Sequence, residues 1–81
     1  MGIKKMEKLW KKGKLTHFVI KDTTVSTDSH ASCRQGEILK IGCFPFDLKG
    51  VYFEYKKDIF KEVDMCDINF KATKRLVNRG K

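Results

Sequence analysis

The sequence has no long apolar run. No stretch approaches the roughly eighteen consecutive apolar residues that a membrane-spanning helix needs. The segment Met1–Gly13 also lacks the apolar core of a secretory signal peptide. These two absences predict a soluble, cytoplasmic protein without a membrane partner.

Cysteine is scarce and poorly spaced for a structural site. Cys33, Cys43 and Cys66 are odd in number and form no CxxC pair, which favours reduced thiols over a disulfide framework. His30 adds a fourth possible zinc ligand, but the gaps between these residues do not match a zinc knuckle. We expect no metal and no other cofactor. Cys43 and Cys66 are predicted to be small buried apolar residues.

Catalytic patterns are missing as well. His30 and Cys33 fall in or beside the serine-rich segment 26–32, a predicted polar loop that offers little to hold a nucleophile and its base. His17 lies on the first predicted strand and is expected to be a surface or half-buried residue. The sequence contains neither a phosphate-cradling glycine loop nor a close carboxylate pair in an apolar setting. We expect a protein that is not an enzyme and has no catalytic residues.

Positive charge is abundant, and it is concentrated at the two ends. The 81 residues carry 18 lysines and arginines against 10 acidic residues, a net charge of +8. Residues 1–14 hold six lysines and one glutamate, and residues 71–81 hold five basic residues and no acid. The remaining body, 15–70, has 7 basic and 9 acidic residues and is close to neutral. Such an asymmetry concerns partners rather than the fold.

The basic ends match what binding to a phosphate backbone requires. Lysines outnumber arginines by 15 to 3, and a lysine lacks the planar fork that reads base edges, so we expect little sequence specificity. Exposed Phe46, Tyr52 and Tyr55 would add stacking surfaces, beside Trp10 among the first lysines. The predicted nucleic-acid-binding residues, for DNA, RNA or a ribonucleoprotein, are Lys4, Lys5, Lys8, Lys11, Lys12, Lys74, Arg75 and Arg79.

Two other interpretations stay open. Basic termini can simply keep a small protein soluble. The chain can also be a protein-interaction module, for example a small inhibitor or adaptor, such as a phage-encoded one, that binds an acidic surface of a larger machine. The sign of the charge excludes an acidic mimic of DNA.

The first element is predicted to be a short amphipathic helix. Ile3, Met6, Leu9 and Trp10 follow the spacing of one helix face, lysines occupy the other, and Gly13 follows as a stop signal. Residues 1–13 are therefore interpreted as a basic N-terminal helix. A helix this short needs a surface on which to dock.

The rest of the chain is predicted to be mainly β. Runs of β-branched and aromatic residues indicate about five strands, with a hairpin loop at Pro45–Gly50. A short 3₁₀ turn at 64–67 is expected before the last strand, and 71–81 is expected to be a basic tail with at most a helical turn. The predicted strands are 15–25, 36–44, 50–56, 58–63 and 68–70.

This pattern favours a single domain built as a small SH3-like barrel, with the body at 15–70 and the helix beside it. The likeness is one of pattern and rests on Gly36–Ile41, Val51–Tyr55 and Ile59–Phe70. The alternative is an α+β meander sheet covered by the N-terminal helix. The residues expected to form most of the core are Phe18, Ile20, Ile38, Ile41, Val51, Phe53, Ile59 and Phe60.

Overall fold

Four strands form one antiparallel sheet, and two helices pack against it in a small α+β domain. The computed structural model describes residues 1–21 and 34–79. Within these ranges no helix has the length and apolar character that crossing a membrane requires. The elements are α1 (Ile3–Lys11), β1 (His17–Val19), β2 (Ile38–Cys43), β3 (Gly50–Lys56), β4 (Ile59–Asp64), a 3₁₀ turn (Met65–Asp67) and α2 (Phe70–Arg79).

The sheet is a meander in which each strand pairs with the next, in the order β1-β2-β3-β4. The predicted loop Pro45–Gly50 does connect β2 to β3, and the Asp47 side chain accepts a hydrogen bond from the Lys49 amide at 3.3 Å. The turn from β3 to β4 is tighter and places Asp58 at φ 67°, a conformation that Asp tolerates better than most residues. The predicted loop 26–32 lies outside the described residues.

One face of the sheet carries the core. Residues directly opposite each other in an antiparallel pair share a face, and the pairs Ile41–Phe53 and Val51–Val63 are buried. Phe18 meets Phe53 edge-to-face with ring centroids 6.4 Å apart, an arrangement that aromatic pairs prefer. The buried cluster consists of Met6, Leu15, Phe18, Ile20, Ile41, Val51, Phe53, Val63 and Ile68.

Three predicted core residues are exposed instead: Ile38 at 52%, Ile59 at 42% and Phe60 at 49%. For Ile38 and Phe60 the cause is the register of the sheet. Ile38 pairs with Val19 and Phe60 pairs with Glu54, and both pairs point away from the core face. Ile59 sits beside an irregularity in the β3–β4 ladder between Glu54 and Lys56. Composition identified these strands, but composition does not say which face a residue takes.

The predicted last strand, 68–70, is wrong. Ile68 makes one isolated antiparallel bridge to Ile20, and the chain turns into α2 at Phe70. Two backbone bonds flank this bridge, from the Lys21 amide to the Asp67 carbonyl (2.7 Å) and from the Asn69 amide to the Val19 carbonyl (2.8 Å). The named sheet therefore has four strands in the described part of the chain and is open.

The predicted basic tail also differs from the structure, because most of it forms the ten-residue helix α2. The side chain of Asn69 accepts a hydrogen bond from the Ala72 amide at 3.0 Å, which is the geometry of a helix N-cap. Asparagine is among the preferred N-cap residues, so this start signal was present in the sequence and was overlooked.

Candidate nucleic-acid interface

Helix α1 ends in a backbone motif that folds the following lysine back over the helix. The Gly13 amide donates to the Trp10 carbonyl (3.0 Å) and the Lys14 amide donates to the Leu9 carbonyl (2.9 Å), which is the Schellman pattern. Gly13 has φ 75°, a left-handed conformation that costs glycine little. The predicted helix and its stop signal are both confirmed, and Lys14 is held beside the last turn of α1.

The apolar side of α1 is anchored in the domain. Met6 is fully buried in the core cluster, and Ile3, Leu9 and Trp10 pack against that cluster. The Trp10 ring lies 5.2 Å from the ring of Phe44, centroid to centroid. Because these contacts fix the rotation of the helix, its lysines must face outward.

Helix α2 is anchored to the outer edge of β1. Thr73 is fully buried, and its hydroxyl accepts a hydrogen bond from the Val19 amide (3.1 Å) while donating to the Asn69 carbonyl (2.8 Å). The carbonyl of Val19, on the same strand, accepts a hydrogen bond from the Asn69 amide. These bonds position α2 so that Val77 also packs against the core cluster.

The two helices border one groove, which we call the interhelical groove. Its basic rim comes from both ends of the chain, because Lys5 lies on α1, Lys14 follows the end of α1 and Lys74 belongs to α2. Leu9 and Val77 give it an apolar floor. The full lining is Met1, Lys5, Leu9, Lys14, Lys74, Val77 and Asn78.

A second hollow continues the basic surface along α1. It shares Lys5 and Leu9 with the interhelical groove, so the two are contiguous. Positions 4, 8 and 12 follow the i, i+4, i+8 spacing, and position 5 lies three residues before position 8; residues three or four apart are neighbours on a helix surface. Its lining consists of Lys4, Lys5, Lys8, Leu9 and Lys12.

A third groove continues the surface on the other side, where it becomes less basic. It shares Lys14 and Val77 with the interhelical groove and runs past His17 and Leu76 to Ile38 on β2. His17 is exposed, as predicted, and its Nδ1 lies 2.8 Å from the hydroxyl oxygen of Thr16. The lysine-lined surface is therefore continuous from α1 to α2 and ends at the sheet.

Three predicted site residues line none of these three grooves. Lys11 points to another side of α1, where its ammonium group lies 3.8 Å from the Glu7 carboxylate. Arg75 and Arg79 are exposed on α2, away from the groove that Lys74 borders. The arrangement thus brings together Lys4, Lys5, Lys8, Lys12 and Lys74.

Two polar residues that line the interhelical groove were absent from the sequence-based list, Lys14 and Asn78. Lys14 lies just after the helix stop, and only the Schellman geometry shows that it returns to the helix surface. Asn78 stands four residues after Lys74, a spacing that would have indicated a shared face had the tail been predicted as a helix.

The aromatic residues proposed as stacking surfaces lie elsewhere. Phe46 is fully exposed at the β2–β3 loop, Tyr55 is exposed on β3, and Tyr52 is half-buried. None of them lines the three basic grooves. Tyr55 instead faces two cations, since the ammonium groups of Lys56 and Lys61 lie 5.5 and 5.6 Å from its ring centroid.

The cysteine prediction is corrected in one respect. Cys43 and Cys66 are both exposed, not buried, because Cys43 follows the irregularity at Gly42 and Cys66 lies in the surface 3₁₀ turn. His30 and Cys33 lie outside the described residues. Among 1–21 and 34–79, the group with ligand atoms close enough to share a metal is Asp64, Cys66 and Asp67, within 4.8 Å of one another. Of the four zinc-ligand candidates considered from the sequence, this group contains Cys66.

Comparison with known protein families, with curated proteins and with solved structures gives no match.

Proposed function

We propose that this protein is a small non-enzymatic binder of nucleic acid that contacts the phosphate backbone through the interhelical groove and the lysine face of α1. The observation that carries the proposal is the convergence of the two basic ends, in which Lys5, Lys14 and Lys74 border one groove. A backbone needs a continuous basic track, and this surface supplies one.

The chemistry of the track supports sequence-independent contact. It is built from lysines, which act as mobile point charges and do not present the fork with which arginine reads guanine. The two arginines of α2 lie outside the groove. We therefore expect similar affinities for unrelated sequences of DNA or RNA.

We also infer that the sheet is the core of an SH3-like barrel. The support is the order of elements, in which a 3₁₀ turn follows β4 and leads to the bridge between Ile68 and Ile20 on the outer side of β1. An NMR structure with a ladder from Asp67–Asn69 to Val19–Lys21 would test the inference, and separation of these segments would contradict it. A fold of this kind does not by itself indicate a function.

The binding test is a salt titration of labelled duplex by fluorescence anisotropy. Each engaged phosphate contributes about −0.9 to the log–log slope on B-form DNA, so four to six contacts give a slope of roughly −4 to −5. No detectable binding at about 50 mM salt, where electrostatic association is strong, would contradict the proposal.

Matched variants separate the groove from net charge. Lys5→Gln, Lys14→Gln and Lys74→Gln together should flatten the slope by about three units. The control, Lys21→Gln, Lys49→Gln and Lys57→Gln, removes the same charge from exposed positions outside the groove. It should change the slope by less than about one unit. Equal effects of the two sets would show that only net charge matters.

A third variant tests the arginines of α2. Arg75→Gln with Arg79→Gln should weaken binding less than Lys5→Gln with Lys74→Gln does, because the arginines do not line the groove. A larger loss of affinity in the arginine variant would show that nucleic acid contacts the other side of α2.

A second candidate function has its own supporting observation, the apolar floor formed by Leu9 and Val77. A groove with an apolar floor and a basic rim also suits an acidic amphipathic polypeptide, as a small inhibitor or adaptor would meet it. That partner predicts an association that depends on salt less than nucleic-acid binding does, because the apolar floor contributes, together with negligible nucleic-acid affinity at about 0.15 M salt. The same titration distinguishes the two.

A further inference from the structure

The free edge of β4 carries a pattern that the basic grooves do not use. In the part of the chain described here, β4 is the last strand of the sheet and has a neighbour on one side only. Exposed apolar side chains lie along it, with Ile59 and Phe60 on the strand and Met65 just after it. An exposed strand edge with unpaired main-chain groups is a template for another strand.

The hydrogen-bond register shows which residues present main-chain groups at this edge. The Met65 amide donates to the Lys49 carbonyl (2.7 Å), and this pair continues the β3–β4 register. Bonded and non-bonded pairs alternate in an antiparallel ladder. Lys61 and Val63 therefore bond to β3, whereas Phe60, Glu62 and Asp64 direct their amides and carbonyls to the free edge.

The side chains of these three residues share the sheet face opposite the core. In a protein with net charge +8, the carboxylates of Glu62 and Asp64 form no ion pair within residues 1–21 and 34–79. The Phe60 ring lies over Gly42, where a β-carbon would collide with it, and remains 49% exposed. Considering residues 1–21 and 34–79, the edge thus offers one aromatic ring followed, at alternating positions, by two carboxylates without an ion-pair partner.

We propose that β4 binds an extended basic peptide as an added antiparallel strand. Paired residues on adjacent strands share a face, so basic side chains lie opposite Asp64 and Glu62 and an apolar side chain lies opposite Phe60. Read from its amino end, the peptide has the pattern basic-x-basic-x-apolar. Main-chain bonds supply the affinity and the alternating side chains supply the specificity.

Charge disfavours a second copy as the occupant. Antiparallel self-pairing in the register that uses all three outward residues would place Glu62 opposite Glu62, and like charges directly opposite are destabilising. The net positive charge of the protein also opposes the approach of a basic peptide. Recognition must therefore be local, and it is best measured at about 0.15 M salt, where the screening length is about 8 Å.

The probe is a dye-labelled synthetic peptide with lysines opposite Asp64 and Glu62, leucine opposite Phe60 and threonines between them. One version is N-methylated at the lysine opposite Glu62, whose amide must bond to β4. Its matched control is N-methylated at the adjacent threonine, whose amide points away from β4. The first change should weaken binding at least about tenfold and the second by less than about twofold. Equal effects, or no binding of the unmodified peptide, would overturn the proposal.

Protein variants test the charges. Glu62→Gln with Asp64→Asn should weaken binding roughly three- to tenfold, the range for two exposed ion pairs. The control, Glu37→Gln with Asp47→Asn, removes the same charge from exposed residues outside β4 and keeps their side-chain acceptors. If the control variant lost as much peptide affinity as the test variant, the proposed contacts of Glu62 and Asp64 with the basic side chains of the peptide would be contradicted.

Amide hydrogen exchange locates the peptide. On binding, the amides of Glu62 and Asp64 should become protected, while Lys61 and Val63, already bonded to β3, should change little. Protection confined to α1 and α2 would place the peptide in the basic grooves and would contradict the β4 site. This readout needs no nucleic acid, so its outcome is independent of the function proposed above.

Discussion

The two edges of the sheet differ in how their main-chain groups are covered. At the β1 edge, Val19 bonds to Thr73 and Asn69, and the Lys21 amide reaches the Asp67 carbonyl. At the β4 edge, Phe60, Glu62 and Asp64 bond to no neighbouring strand among the described residues. The C-terminal basic segment thus has a structural role as well as a charge, because α2, the helix that carries Lys74, covers the outer edge of β1.

The largest expected effect separates the centre of the sheet from its edge. Phe53 on β3 is buried against Phe18, whereas Phe60 on β4 is half exposed. Phe53→Ala should lower the free energy of unfolding by about 3–5 kcal/mol, most of the stability of a domain this small. Phe60→Ala, which buries less, should cost about 1 kcal/mol. Urea titration followed by circular dichroism measures both, and equal midpoints would contradict the placement of β3.

The difference between these two phenylalanines also shows what the sequence could predict. The extents of β3 and the α1 stop at Gly13 followed from local residue types, and both agree with the structure. The face taken by Phe60 did not follow, because it depends on pairing with Glu54 across the strands. Face assignment is a property of register, which a composition pattern does not contain.

The candidate site was predictable to a similar degree. The lysines of α1 were found from charge and helical spacing alone. Their meeting with Lys74 was not, since it depends on the docking of α2 through the buried Thr73. Nothing in the sequence around Thr73 indicates that its hydroxyl will accept a hydrogen bond from the amide of Val19, a residue 54 positions earlier.

The next effect in size concerns the closed edge itself. Thr73→Val keeps the shape of the side chain but removes the acceptor for the Val19 amide. Leaving a buried donor unsatisfied costs about 1–3 kcal/mol, so the urea midpoint should fall accordingly. Exchange at the Val19 amide should also accelerate. Thr16→Val, an exposed control, should stay within about 0.5 kcal/mol of the parent. An unchanged Val19 exchange rate would show that α2 does not close the β1 edge.

The N-cap of α2 comes next. Asn69→Ala removes the acceptor of the Ala72 amide and should cost about 1 kcal/mol. Asn69→Asp, an equally good N-cap, should restore the stability. A matched change at the other end of the helix, Asn78→Ala, should stay within about 0.5 kcal/mol because Asn78 is exposed. If Asn69→Ala and Asn78→Ala gave the same stability, the start of α2 would not depend on the cap.

The smallest effect is expected from metal and redox conditions, and it bears directly on the open edge. Asp64, Cys66 and Asp67 cluster where β4 ends, so a metal bound there would fix that end of the strand. The described core is built from apolar side chains, and Cys43 and Cys66 are exposed, so we expect folding to depend on neither a metal nor a disulfide. A strong chelator and a reductant should each leave the melting temperature unchanged. A fall with chelator, absent in Cys66→Ser, would show that a metal restrains the β4 edge and that the two edges differ less than their hydrogen bonds indicate.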